Sequence, residues 1–158
     1  MKRALAIAIA LLSLTGCWTN LELRVDHRVA VAYPREGSRV TLPLTVTWDV
    51  RNAALRGIEF AVFVDRAPIA PGEAVTSVAN GDRPCRATPG CPDETYLNRR
   101  HIFTTTSTSL LVTGLIDTRP SGRPSAPDRH RIVIVILDAH RRRAGEAAFS
   151  VDFTVAHP

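Results

Sequence analysis

The chain has 158 residues, 45% of them hydrophobic, and a formal charge of +5. That length fits one domain with a core of its own. Lys2 is the only lysine, and beyond Arg3 the arginines are scattered from Arg24 to Arg143 without interleaved aromatics. This pattern excludes the clustered basic surface of a nucleic-acid binder.

The first 16 residues form three zones: the basic pair Lys2 and Arg3, the apolar stretch "ALAIAIALLSL", then Thr15 and Gly16. The order is that of a secretory signal, residues 1–16. At about 1.5 Å of rise per residue, the apolar stretch is far too short for a hydrocarbon core of ~30 Å. A permanent membrane-spanning helix is therefore not expected.

The signal ends in Leu14-Thr15-Gly16-Cys17, which resembles the lipobox of bacterial lipoproteins. The resemblance implies that Cys17 is acylated, that cleavage falls before it, and that the mature protein is held on a membrane of the cell envelope. Two or three acyl chains hold far more firmly than one. Where the host has two membranes, Trp18 in place of the inner-membrane retention aspartate implies sorting to the outer membrane. The ordinary alternative is a plain secretory signal that leaves Cys17 as a free thiol.

Lipidation of Cys17 leaves Cys85 and Cys91 as an even pair in the polar, proline-rich segment "GDRPCRATPGCPDE". In an oxidising compartment a disulfide is the default for such a pair. A metal site would call for further ligands at recognisable spacing, and the motif is not the Cys-x-x-Cys of a redox pair.

After the tether, residues 17–27, the dominant period is two. "LPLTVTWDV" places Leu44, Val46, Trp48 and Val50 on one face, with Thr45, Thr47 and Asp49 on the other. "IEFAVFVD" alternates through Ile58, Phe60, Val62 and Val64, and "FSVDFTV" through Phe149, Val151, Phe153 and Val155. Each reads as a half-buried strand. "RIVIVILD" is apolar on both faces and reads as a central strand buried on both sides. Weaker strands are expected at 28–33, 38–42, 73–79, 101–106 and 109–115, separated by turns such as "YPREGS" and "TRPSGRPSAPDR". No sustained helical period follows residue 20. The pattern predicts an all-β antiparallel sandwich of about 7–9 strands over residues 28–158.

The order of these segments resembles fibronectin type III and bacterial immunoglobulin-like domains over about residues 28–156. Trp48 stands where that family commonly carries a core tryptophan. "SLLVTGLID" resembles the segment whose leucine, here Leu115, plugs the bottom of the sandwich, and "HRIVIVILDAHRRRAGEAAFSVDFTV" resembles the closing hairpin. Two features depart from the family. His130-Arg131-Ile132 offers no tyrosine for a tyrosine corner, and the segments 81–98 and 118–129 are insertions.

No nucleophile elbow, zinc-protease helix motif or phosphate loop is present. The protein is therefore read as a non-enzymatic module without cofactor or metal. Asp65, Asp82, Asp93 and Glu94 match no calcium-loop spacing, and the five histidines are dispersed, each read as ordinary. The one concentrated charge is Arg141, Arg142 and Arg143 between the last two strands. Three guanidinium groups at a hairpin tip suit phosphate or carboxylate, as on lipid headgroups or an anionic envelope glycan. The plain structural reading is a solvated turn. The expected function is a lipid-anchored binding or scaffolding module that contacts an envelope protein or glycan. The alternative is a pilotin-like assembly factor of a secretion or outer-membrane complex, offering a sheet edge to a partner strand.

Overall fold

The computed structural model describes residues 28–51, 58–121, 123 and 125–157. The signal, Cys17 and the tether lie outside the described residues.

The strands are β1 (Val29–Tyr33), β2 (Ser38–Val40), β3 (Leu44–Val50), β4 (Phe60–Val64), β5 (Ile102–Thr105), β6 (Ser109–Val112), β7 (Asp128–Ile136) and β8 (Phe149–Val155). They form a three-stranded sheet, ordered β1-β3-β6, and a five-stranded sheet, ordered β2-β8-β7-β4-β5. Every pairing is antiparallel except that of β2 with β8. The alternation read from the sequence sets the faces: in β3, Leu44, Val46 and Trp48 are buried while Thr45 and Asp49 are exposed. These side chains meet Phe60, Val62, Ile132, Ile134, Val151 and Phe153 of the other sheet in one core. The architecture is an all-β sandwich. At its centre the Trp48 ring meets Phe60 edge to face, with centroids 5.6 Å apart, a favourable aromatic geometry.

A second, smaller core lies on the outer face of the five-stranded sheet. Ala61 and Phe63 of β4 and Val133, Val135 and Leu137 pack there against Ile69, Val75 and Leu97. The covering layer is the stretch between β4 and β5, which holds a 3₁₀ turn (Val75–Ala79), α1 (Arg83–Ala87) and α2 (Glu94–Arg99). β7 is thus buried on both faces from Ile132 onward, as its continuous apolar run predicts. β4 is also buried on both faces, because the covering layer packs on a side that alternation alone assigns to solvent. The strand expected at 73–79 is instead the 3₁₀ turn. Val75 and Ala79 are the buried residues of this turn, and Val75, with Val78 beside it, joins the second core.

Candidate functional site

The covering layer is built by local capping. Asp82 accepts the amide of Cys85 at 3.0 Å at the start of α1, and Asp93 accepts that of Tyr96 at 2.7 Å at the start of α2, each supplying the side-chain acceptor that an uncapped helix start lacks. Cys85 and Cys91 are disulfide-bonded, with Cα atoms 5.3 Å apart. The second oxygen of Asp82 takes the Tyr96 hydroxyl at 3.0 Å and the Arg100 guanidinium at 2.5 Å, while Arg100 stacks on the Tyr96 ring. The Cys85 amide and then the Tyr96 hydroxyl hold the Asp82 carboxyl below its ordinary range. Asp82 and Asp93 are thus helix caps.

The three arginines of the hairpin tip face the protein. Arg141 pairs with Glu59 at 3.1 Å and donates to the Thr104 hydroxyl at 2.8 Å. Arg142 donates to the Gly72 carbonyl at 3.1 Å. Arg143 is buried and donates to the carbonyls of Ile69, at 2.7 Å, and Glu146. Desolvation pulls its pKa down. Main-chain bonds from Gly72 to Arg143 and from Arg143 to Glu73 continue the seam. The tip is a clasp that fastens the covering layer to the β7–β8 hairpin, in place of the solvated basic turn suggested by sequence.

Its energetic centre is testable. Arg143→Ala leaves two main-chain carbonyls without their charged donor, and a loss of about 1.5–3 kcal/mol is expected in urea unfolding. Exposed Arg142→Ala should stay within about 0.5 kcal/mol. Equal costs for the two would show that the clasp does not turn on Arg143.

At the opposite end of β7 lies a polar network that sequence reading missed. Asp65, at the end of β4, adopts a left-handed φ of 54°, a conformation Asp tolerates better than most residues. Its carboxylate receives the Arg131 amide at 2.9 Å and lies 2.8 Å from Nδ1 of His130. The His130 side chain is wholly buried and its Nε2 lies 3.1 Å from Asp128, at ion-pair distance but outside hydrogen-bond alignment. Asp128, itself buried, receives the Thr118 amide at 2.7 Å and hydroxyl at 2.8 Å on one oxygen, and contacts Nε2 of His157 at 2.7 Å on the other.

Burial disfavours the charged form of both central groups, yet the network reverses its effect. For His130, the carboxylates of Asp65 and then Asp128 outweigh burial and raise the pKa. For Asp128, the Thr118 amide, then His157, the Thr118 hydroxyl and His130 hold the carboxyl far below its ordinary range. Asp117, Asp128 and His157 also bring potential ligand atoms within 4.8 Å of one another. Arg119, however, grips Asp117 with both its Nε and a terminal nitrogen, and Asp128 is fully engaged. The group reads as a structural brace joining β4, β7, the 113–127 loop and the chain end.

Beside this brace the outer face of the five-stranded sheet is open among the described residues, with Arg129 and Arg131 exposed. There the covering layer ends and an open groove of about 980 Å³ begins. Arg129, Arg131, Asp152 and Thr154 of the sheet line it, together with Ala67, Pro68, Thr118 and Pro127. Arg131 and Asp152 bind each other through two contacts of 2.6 Å. Arg66 donates to the Arg100 carbonyl at 3.2 Å. Neither Arg66 nor Arg129 forms an ion pair among the described residues. The groove was not legible in sequence, because its cations come from two separate elements.

No family model, curated protein or solved structure matches the chain.

Proposed function

We propose that this chain is an envelope lipoprotein anchored through Cys17, whose immunoglobulin-like domain is a non-enzymatic binding module presenting the groove over β7 and β8. The observation that carries the binding role is the open part of the five-stranded sheet. Among the described residues, Ile69, Val75 and Leu97 of the covering layer pack over Ala61, Phe63, Val133 and Val135, while Arg129, Arg131, Asp152 and Thr154 line an open groove. In support of the fold reading, the order β1-β3-β6 against β2-β8-β7-β4-β5 follows immunoglobulin strand order when the strands are lettered A, A′, B, C, C′, E, F and G. The anchor rests on the N-terminal pattern ending in Cys17.

Two arms test the proposal in a bacterial host. Cys17→Ser should yield an unprocessed or soluble exported form, whereas unchanged processing and membrane retention would defeat the anchor. A photo-crosslinking residue at Ala67, which lines the groove, should trap a ligand in intact cells. The same residue at exposed Thr45 on the opposite sheet should not. Absence of any adduct specific to Ala67 would defeat the binding surface.

A further inference from the structure

Resting on that reading of the groove, we infer that its ligand is an acidic polysaccharide, whose carboxylates are taken by Arg129 and Arg66 of the groove and by Arg39 of the adjoining depression, which shares Pro127 and Thr154 with it. The ladder places these groups. Thr154 lies opposite Arg39 on β2 and opposite Arg129 on β7. Arg39, Thr154 and Arg129 therefore form one row across three strands, with its two arginines about 10 Å apart at the Cα atoms. Both arginines are exposed on the outer face, since their chain neighbours Val40, Asp128 and His130 are buried. Arg66 lines the same groove as Arg129 and Thr154.

The acids of the groove are already committed. Asp65 serves His130 and the Arg131 amide, and Asp152 serves Arg131. Arg39, Arg66 and Arg129 have no carboxylate partner among the described residues. Each guanidinium presents a planar fork that matches a carboxylate. The cations are therefore complementary to a ligand carrying spaced negative charge.

The backbone decides between a peptide and a glycan. The groove lies on the face of a sheet, whose main-chain groups are used by the β2–β8 and β8–β7 ladders. Strand addition needs a free edge, which a face does not provide. Recognition here must run through side chains. Ala67, Pro68 and Pro127 line the same groove, small apolar surfaces against which the C–H faces of sugar rings pack. A chain of uronic acid rings offers both parts: carboxylates for the forks and ring faces for the apolar strip.

The test uses the full lipidated protein in detergent micelles, with polygalacturonate as the probe and dextran and dextran sulfate as comparisons. Polygalacturonate should bind, dextran should not, and raising salt from about 0.1 M to about 1 M should release it as the Debye length falls from about 10 Å to about 3 Å. Arg66→Gln/Arg129→Gln should weaken binding about tenfold or more. Arg83→Gln/Arg86→Gln, which removes the same charge from α1, should leave binding unchanged. Equal loss in the two double variants, or equal binding of dextran sulfate, would mean unspecific attraction and overturn the inference. So would failure of the native protein to bind polygalacturonate. In that event an adduct at Ala67 would keep the groove as a binding surface with a ligand of other chemistry, and its absence would remove both.

Discussion

Trp48→Ala is expected to cost about 3–5 kcal/mol, the range for truncating a core aromatic, against a whole-domain stability of about 5–15 kcal/mol. Trp48 is 2% exposed and belongs to the core shared by the two sheets. Its ring meets Phe60 edge to face, so truncation removes a cross-sheet contact as well as volume. The indole N–H is buried without an acceptor among the described residues. Trp48→Phe therefore removes an unsatisfied donor while keeping an aromatic ring, and its cost should stay below about 1.5 kcal/mol. Urea unfolding of both variants, with tryptophan emission followed for the native protein, gives the comparison. A loss under about 1 kcal/mol for Trp48→Ala would contradict the packing of the two sheets around this residue.

The strands of the sandwich were legible because a half-buried strand writes its environment as period-two alternation. Residues 44–50 and 149–155 fold with the faces so assigned. The short helices α1 and α2 were not, since five or six residues cannot display a 3.6-residue period. Their signals were local: Asp82 followed by Pro84, and Asp93 followed by Glu94, are start signals of helices. β4 was half legible. Its apolar content was plain, but burial of Ala61 and Phe63 depends on the covering layer, whose docking is set by long-range contacts. The same holds for the arginine tip, where the bonds of Arg143 run to carbonyls at Ile69 and Glu146. For the brace a signal existed. Asp128 and His130 continue the inward register of Ile132 and Ile134, and polar residues on a core face require partners inside the protein. The acid just after β4, Asp65, is far away in sequence and only the fold brings it there.

His130→Leu is expected to cost about 3–5 kcal/mol near pH 6, because removing one member of a buried ionic set leaves the others uncompensated. The carboxylate left uncompensated is chiefly that of Asp128, which is 3% accessible and, among the described residues, keeps Thr118 and His157 as side-chain partners. The effect should carry a distinctive pH dependence. Folding raises the His130 pKa, so the folded state holds its proton more tightly than the unfolded chain. Its contribution is fully present below the ordinary histidine value of about 6.5 and is lost as pH rises through the raised value. Asp128 has the opposite sign: its pKa is lowered, so its contribution is present above about 3.9 and is lost as pH falls from there. Native stability should therefore be greatest between about pH 4 and about pH 6.5 and decline on both sides. In His130→Leu the alkaline decline should vanish while the acid decline persists, a separation that loss of packing alone does not produce. Urea midpoints measured from pH 3 to pH 10 read both limbs. An alkaline limb of unchanged size in the variant would show that His130 is neutral in the fold and that the brace is held by hydrogen bonds without the imidazolium charge.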